Sequence, residues 1–414
     1  MLGGITVIIL SGIFSFLIVD RLKERYPFID AGLLKKLFFF HLLLFAAYYG
    51  YVLTSPSDSK WYYEKIRIGF RGENWLDFYG TSTTFIEFFG YPFVKYLGFS
   101  YEAIMALFSW MGYLGFVYFY IFFKENIRFK HDFLGADLLT LIFFLPNLHF
   151  WSASFGKGSI IFLGMGLFFY GISKLRTRIL AILVGGIIIY HVRPHIMLVV
   201  LLSSAMGFMF SSRGIKVSWR ILFLAGATVA FFFIYKDVLT LVGIDEDAPV
   251  QQGLDLTHRA TELTKATSGV DITSYSLPMQ VFTFLFRPLF FDAPGLLGII
   301  VSFENAFYLV ITLMMFSKLR GFKFLLTGSF LVKGAFLSFI TVSIALAQIS
   351  GNLGLAIRQK SQVMLLFLFV IISFLDNQKW RAWVQQRAHR ERTLKIQKLR
   401  ETAAVQKAAS QAKS

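Results

Sequence analysis

The chain has 414 residues, of which 56% are hydrophobic and only 16% are charged, and its mean hydropathy is +0.63. A soluble domain usually carries about 25% charged residues, so this composition excludes an ordinary water-soluble protein. No cysteine is present, which excludes disulfides and thiolate metal sites. The net charge of +17 does not indicate a nucleic acid partner, because the basic residues stand beside apolar segments, where they set membrane orientation.

Apolar segments recur along most of the chain and predict an all-α polytopic membrane protein with about eleven transmembrane helices. Several of the segments are shorter than the roughly 20 residues that cross a hydrocarbon core. We expect two of them, 138–151 and 179–190, to end within the membrane depth, where the broken backbone lines a protein cavity. The predicted spans, in chain order, are 3–19, 37–54, 103–123, 138–151, 159–173, 179–190, 196–210, 221–235, 299–316, 324–349 and 361–375.

The basic residues predict the orientation of these spans. Short loops rich in Lys and Arg alternate with the other loops and fall on the same side as the basic tail, and the positive-inside rule assigns that side to the cytoplasm. The N-terminus is then outside and the C-terminus inside. The predicted organisation is a transmembrane domain over 1–375, with periplasmic loops 55–101 and 236–298, followed by a cytoplasmic tail over 376–414.

Unusual polar residues collect on the predicted outer face. Asp58 follows the second span and precedes two tyrosines, so it could act as a base toward a sugar hydroxyl, or it could cap a helix. Lys157 follows the fourth span and has no positive-inside reason to be there. We expect either a ligand contact or a snorkelling side chain.

The clearest signal is the sequence His191-Val192-Arg193-Pro194-His195, which joins two short apolar segments. Because both segments begin and end at basic loops, Arg193 is expected near the outer membrane surface, where a charge usually faces a wet cavity or a partner. Its guanidinium group suits phosphate oxygens, and His191 and His195 can exchange protons. The alternative is a tight turn whose arginine pairs with an outer carboxylate.

Four further charged residues belong to this pattern: Arg287, Glu304, Arg358 and Lys360. Arg287 stands among apolar residues, Glu304 lies within a span and is a candidate partner for a cation, and the last two precede the final span on the outside. The cations predict an outward-facing pocket for a phosphate or diphosphate. No zinc or calcium spacing and no nucleotide-binding motif occurs, so neither a metal nor any other cofactor is predicted.

At these positions the chain resembles bacterial polysaccharide polymerases of the Wzy and EpsG type. The resemblance covers most of the predicted membrane core and rests on five short motifs. They are Asp58 with Tyr62-Tyr63, Pro146…Phe150-Trp151-Ser152…Gly156-Lys157, Arg193-Pro194-His195, Phe286-Arg287-Pro288, and Gly354…Arg358-Gln359-Lys360.

The resemblance implies a fold like that of the C-type membrane glycosyltransferases and of O-antigen ligases. It also implies that glycan units are joined from a polyprenyl-diphosphate-linked oligosaccharide at the periplasmic face of the bacterial inner membrane. Asp58 and His195 are then the candidate bases, and the cations hold the diphosphate. Two hypotheses of other classes stay open: a transporter or flippase of lipid-linked glycan, and a structural subunit of an export machine with envelope-assembly protein partners.

Overall fold

The structure is a computed structural model that describes residues 2–210, 216–242, 269–272, 274–293, 295–317, 319–348 and 350–411. Within these ranges the regular structure is helical apart from one two-residue hairpin, β1 (Asp132–Phe133) with β2 (Ala136–Asp137). The helices are α1 Leu2–Arg25, α2 Ala31–Thr54, α3 Asp58–Arg67, α4 Thr83–Tyr91, α5 Tyr101–Asn126, α6 Leu138–Phe143, α7 Pro146–Ser152, α8 Lys157–Ser173, α9 Ile179–Val192, α10 Pro194–Met209, α11 Val217–Val242, α12 Leu277–Phe286, α13 Gly295–Phe316, α14 Leu319–Thr327, α15 Phe330–Ala347 and α16 Leu353–Gln411.

In this part of the chain, seven helices are long and apolar enough to cross a membrane: α1, α2, α5, α11, α13, α15 and α16. Five shorter apolar stretches accompany them, namely α6 with α7, then α8, α9, α10 and α12. This arrangement confirms the predicted all-α membrane class. Parts of the predicted loop 236–298, including its acidic residues Asp245, Glu246 and Asp247, lie outside the described residues. In the described part of that loop, α12 forms an apolar helix that we did not predict.

Two predicted spans are interrupted. The segment 138–151 divides into α6 and α7 because Pro146 has no amide hydrogen to donate, and it begins the second helix. The segment 324–349 divides at Gly328: α14 ends there, and Ser329 caps α15 by accepting a hydrogen bond from the Val332 amide.

The core is built around α5, most of which is buried by neighbouring helices. Glycines allow the closest of these contacts. A Cβ atom at Gly112 would lie 2.0 Å from the Ser152 carbonyl oxygen, and one at Gly166 would lie 2.8 Å from the Gly115 carbonyl oxygen. Only glycine permits this separation, so α7 and α8 can pack directly against the α5 backbone.

Several basic loops gather at one end of the helices, from which the residues after 376 extend. Arg178 pairs with Glu125 at 2.6 Å and also donates to the Tyr26 hydroxyl, which joins three of these loops. Asp376 accepts hydrogen bonds from the Arg128 and Phe129 amides. We call this the tail end of the molecule and the opposite end the polar end. The tail itself continues α16 as an exposed helix to Gln411.

Candidate active site at the polar end

Asp58 is the first residue of α3, and it does not cap that helix. Ser57 takes the capping position with an extended backbone, and its hydroxyl accepts a hydrogen bond from the Ser59 amide. A carboxylate in the first helical turn is favoured by the helix dipole. Because capping does not occupy it, the Asp58 side chain is available to other groups, and it is about half exposed (54%).

The partner of Asp58 is Arg358, which lies 300 residues later in the second turn of α16. One guanidinium nitrogen donates to the Asp58 carboxylate at 2.8 Å, and the guanidinium carbon lies 5.8 Å from the ring centre of Trp151. The pair therefore connects three of the motifs on which the resemblance rests. Arg358 fixes one side of the carboxylate and leaves the other side open.

Lys157 is the first residue of α8, and its ammonium group donates to the Ser82 hydroxyl at 2.8 Å. It lies within electrostatic range of Arg193, Arg358 and Asp58. The positive charges of Lys157, Arg193 and Arg358 repel one another, so the arrangement favours an additional anion between them. We call Lys157, Arg193 and Arg358, together with Asp58, the outer cluster.

The turn between α9 and α10 brings Arg193 into this cluster. The Arg193 amide closes α9 on the Ile189 carbonyl, and Pro194 begins α10. A backbone bond from the Ser82 amide to the His191 carbonyl, at 2.6 Å, attaches this turn to the segment before α4. Ser82 adopts a positive φ of 63° to reach both this carbonyl and Lys157, a strained conformation that its two contacts stabilise.

The two histidines of this turn have different positions. The Nδ1 atom of His191 lies 2.9 Å from the Ile187 carbonyl, which can only accept, so Nδ1 is the donor. The Nε2 atom of a neutral ring then accepts from the Tyr79 hydroxyl at 3.1 Å. His191 thus has both nitrogens engaged at the end of α9. His195 is a partly buried residue in the first turn of α10.

Arg287, Glu304 and Lys360 belong to a second group, on another side of α16. Lys360 is completely buried, and its ammonium group donates to the Asn305 side chain at 2.6 Å and to the carbonyls of Leu285 and Arg287 at 3.0 and 3.4 Å. We call Lys360, Asn305 and Glu304 the inner cluster. It fixes the α12–α13 connection against α16.

Glu304 and Arg287 are occupied within this second group. Glu304 accepts from the Asn147 amide at 2.9 Å and from the Tyr308 hydroxyl, and Arg287 pairs with Asp292. The structure therefore brings Lys157, Arg193 and Arg358 together, while the arginine of the predicted Phe-Arg-Pro motif has its own carboxylate partner. Asp292, five residues after Arg287, was a signal in the sequence for that pair.

The Tyr62 side chain lies near Asp58 and Arg358 of the outer cluster. Burial, and secondly the Asp58 carboxylate, raise the pKa of this phenol to about 12. The side chain thus remains a neutral hydrogen-bond donor over the physiological range. Its position four residues after Asp58, one helical turn along α3, could have indicated this proximity from the sequence.

A buried histidine pair was not anticipated. The Nδ1 atoms of His41 (α2) and His149 (α7) lie 2.9 Å apart, and the Nε2 atoms lie 2.9 and 2.8 Å from the carbonyls of Ser109 and Phe143 respectively. The Phe116 ring stacks on His149 at 3.8 Å. The two histidines are distant in sequence and embedded in apolar spans, so no local pattern indicated their contact.

The outer cluster has the elements of a group-transfer site for an anionic leaving group. A half-exposed carboxylate can accept a proton, and three cations from separate segments can stabilise negative charge beside it. Across the described ranges, no group of three or more His, Asp or Glu side chains is arranged to hold a metal ion. Comparison of the chain with protein-family models, curated proteins and solved structures finds no match.

Proposed function

We propose that this protein is a membrane glycosyltransferase of the polysaccharide-polymerase type, with a C-type transferase architecture of about eleven spans. It joins glycan units from a polyprenyl-diphosphate-linked donor at the periplasmic face of the bacterial inner membrane. One observation carries the proposal: Lys157, Arg193 and Arg358 converge beside the half-exposed carboxylate of Asp58. This combination supplies a base and a cationic site for a diphosphate at one location.

The proposed orientation is supported by the loops at the tail end. Contacts between Tyr26, Glu125 and Arg178, and between Arg128 and Asp376, join four basic regions that are distant in sequence. Short loops rich in Lys and Arg remain in the cytoplasm during insertion. The tail end is then cytoplasmic, and the outer cluster faces the periplasm. A periplasmically active reporter at the C-terminus contradicts this orientation.

The mechanism follows from the partners of Asp58. When the donor binds, its diphosphate oxygens replace the carboxylate as the acceptor for Arg358, and Asp58 becomes free to take the proton of an acceptor hydroxyl. The hydroxyl oxygen forms a bond to the anomeric carbon as the bond from that carbon to the diphosphate oxygen breaks. The leaving diphosphate gains negative charge beside the cations of Lys157, Arg193 and Arg358, which stabilise it. The proton remains on Asp58 until it is lost to water.

An apolar groove supports a lipid-linked donor. The groove is lined almost entirely by apolar side chains of α9, α10 and α11, with smaller parts from α8. Its lining includes Tyr190 and Met197, which lie on either side of the turn that carries Arg193. A polyprenyl chain in this groove would place its diphosphate near the outer cluster.

The decisive experiment uses the purified full-length protein in lipid with a polyprenyl-diphosphate oligosaccharide as donor. We expect longer glycans and free polyprenyl diphosphate, both detectable by mass spectrometry. Transfer of the intact donor across the bilayer without a change in its glycan would contradict the proposal and favour a flippase. No chemical change and no movement would favour a structural subunit of an export machine.

A further inference from the structure

A cleft at the tail end, on the opposite side of the molecule from the outer cluster, is formed by α14 and α16. On α14, Arg320, Lys323 and Thr327 face it at spacings of three and four residues, which places them on one side of that helix. On α16, the lining residues Asn377 and Arg381 follow at a spacing of four. One face of α14 and one face of α16 therefore line the cleft.

The charges of this cleft have one sign. Arg320, Lys323 and Arg381 line it, and no carboxylate is among the lining residues. Within the described part of the chain, these three cations take no part in an ion pair with a protein carboxylate. The nearest acidic residue on α16, Asp376, is occupied by backbone amides and by Arg128. Three cations are thus held near one another without an anion from the protein.

The floor of the cleft is aromatic. The rings of Phe324 and Phe374 meet with their centres 5.6 Å apart, and both belong to the lining. Phe374 lies at the end of the apolar part of α16, and Asn377 is among the first polar residues beyond it. The cleft therefore spans the boundary between apolar and polar sequence, the depth at which a bilayer presents its phosphate groups.

We propose that this cleft binds a phosphate-bearing anion, and that its source is the headgroup of an anionic phospholipid. The guanidinium groups of Arg320 and Arg381 offer paired donors to phosphate oxygens, and Lys323 adds a point charge. The side-chain amides of Asn377 and Gln378 can donate to glycerol or headgroup hydroxyls, while the aromatic floor contacts the first carbons of the acyl chains. The site is separate from the proposed transfer reaction and does not depend on it.

The test measures lipid retention by the purified full-length protein with native mass spectrometry after exchange into phosphatidylglycerol or phosphatidylcholine. The variant Arg320→Gln/Lys323→Gln/Arg381→Gln removes the three cations of the cleft. The matched control, Arg390→Gln/Arg392→Gln/Lys395→Gln, removes the same charge from the exposed tail helix. We expect the cleft variant to lose phosphatidylglycerol affinity by about tenfold or more, and the control by less than about twofold.

Equal losses in the two triple variants would overturn the proposal, because they would show diffuse attraction to a basic surface. So would equal retention of phosphatidylcholine and phosphatidylglycerol by the unaltered protein. Inorganic phosphate provides the second arm. If millimolar phosphate displaces the lipid from the unaltered protein but has no such effect on the cleft variant, the cleft recognises phosphate, and the source of its natural anion is soluble. Thermal unfolding in phosphatidylcholine alone verifies that both triple variants are folded.

Discussion

Arg358 and Lys360 lie two residues apart on α16, but the first has a partly exposed side chain and the second is completely buried. Two residues correspond to about 200° of rotation around a helix, so their side chains leave α16 in nearly opposite directions. Arg358 reaches the half-exposed Asp58 and the other cations of the outer cluster. Lys360 enters the protein interior and is satisfied by three oxygen atoms of the inner cluster and its neighbours.

This contrast separates two uses of a charge in a membrane protein. A buried ammonium group with every hydrogen bonded to protein oxygen holds helices together and has no capacity left for a substrate. A guanidinium group that is paired with a half-exposed carboxylate, and that has two other cations nearby, can exchange that partner for a phosphate. We therefore infer that Lys360 positions the segment that carries Arg358, which belongs to the proposed site of glycan transfer.

The largest expected effect is on stability. Lys360→Met leaves the Asn305 oxygen and two carbonyls buried without their donor and should lower the free energy of unfolding by about 3 kcal/mol or more. Thermal unfolding in detergent measures it. Lys333→Met serves as the control, because that lysine donates to one backbone carbonyl at an exposed position, and it should cost less than about 1 kcal/mol. Equal effects would contradict the structural role assigned to Lys360.

Asp58→Asn should have the largest effect on turnover. An asparagine keeps the shape of the side chain but cannot accept the hydroxyl proton, so glycan extension should fall by about a thousandfold. Folding should be unaffected, since the carboxylate is half exposed. Glu64→Gln on the same helix, which breaks only the exposed pair with Arg67, is the matched control. A variant of Asp58 with normal turnover would exclude it as the base.

Arg358→Lys should reduce turnover by about tenfold, because lysine keeps the charge but loses the planar pair of donors. The free energy of unfolding should change by less than about 1 kcal/mol, as expected for a partly exposed ion pair. The effect should fall on the turnover rate more than on the apparent donor affinity if the arginine stabilises the leaving diphosphate. A loss of stability comparable with that of Lys360→Met would assign Arg358 to the structural group instead.

The smallest effect concerns Tyr62 at alkaline pH. Its pKa of about 12 in the folded protein exceeds the ordinary value of 10.0, so its contribution to stability is complete below pH 10 and is lost as the pH rises through 12. Tyr62→Phe removes this loss. Relative to its own stability at pH 8, the variant should lose about 1 kcal/mol less than the unaltered protein at pH 11. Parallel curves for the two proteins would show that burial and the Asp58 carboxylate do not raise the pKa of Tyr62 in the folded protein.

Hydropathy and charge predicted the helical membrane class because apolar length and basic flanks are local properties. They also predicted that Arg358 and Lys360, which precede the last span, belong to a functional site. They could not predict that Arg358 and Lys360 have different environments. One face of α16 meets α3 and another meets α13, and this arrangement depends on packing between segments that are far apart in the chain. The interruption at Pro146 followed from its missing amide hydrogen. The interruption at Gly328 was not predicted, although Thr327-Gly328-Ser329 is a short polar stretch within the apolar segment.

The candidate site was predictable in part for the same reason. Lys157, Arg193 and Arg358 were recognised because each is basic on the predicted outer side, whereas their proximity became visible only in the structure. Ser82 had no signal in its residue type, since its role comes from a positive φ that lets it bridge Lys157 and the His191 carbonyl. Arg287 fitted the same basic pattern, but its local partner Asp292 provides its charge balance.

The number of protons carried by the histidine pair between α2 and α7 determines which of its hydrogen bonds can form. Each Nε2 atom faces a carbonyl oxygen, which can only accept, so each must carry a hydrogen. A neutral imidazole has one N–H, and two such rings would place bare lone pairs against each other at the 2.9 Å contact between His41 and His149. A third proton completes all three bonds and gives the pair one positive charge, against the π face of Phe116. With two protons, one of the three bonds must open. The pair therefore keeps all three hydrogen bonds only when it carries the third proton, while the aromatic packing between α2 and α7, such as Tyr48 on Phe150, does not depend on it.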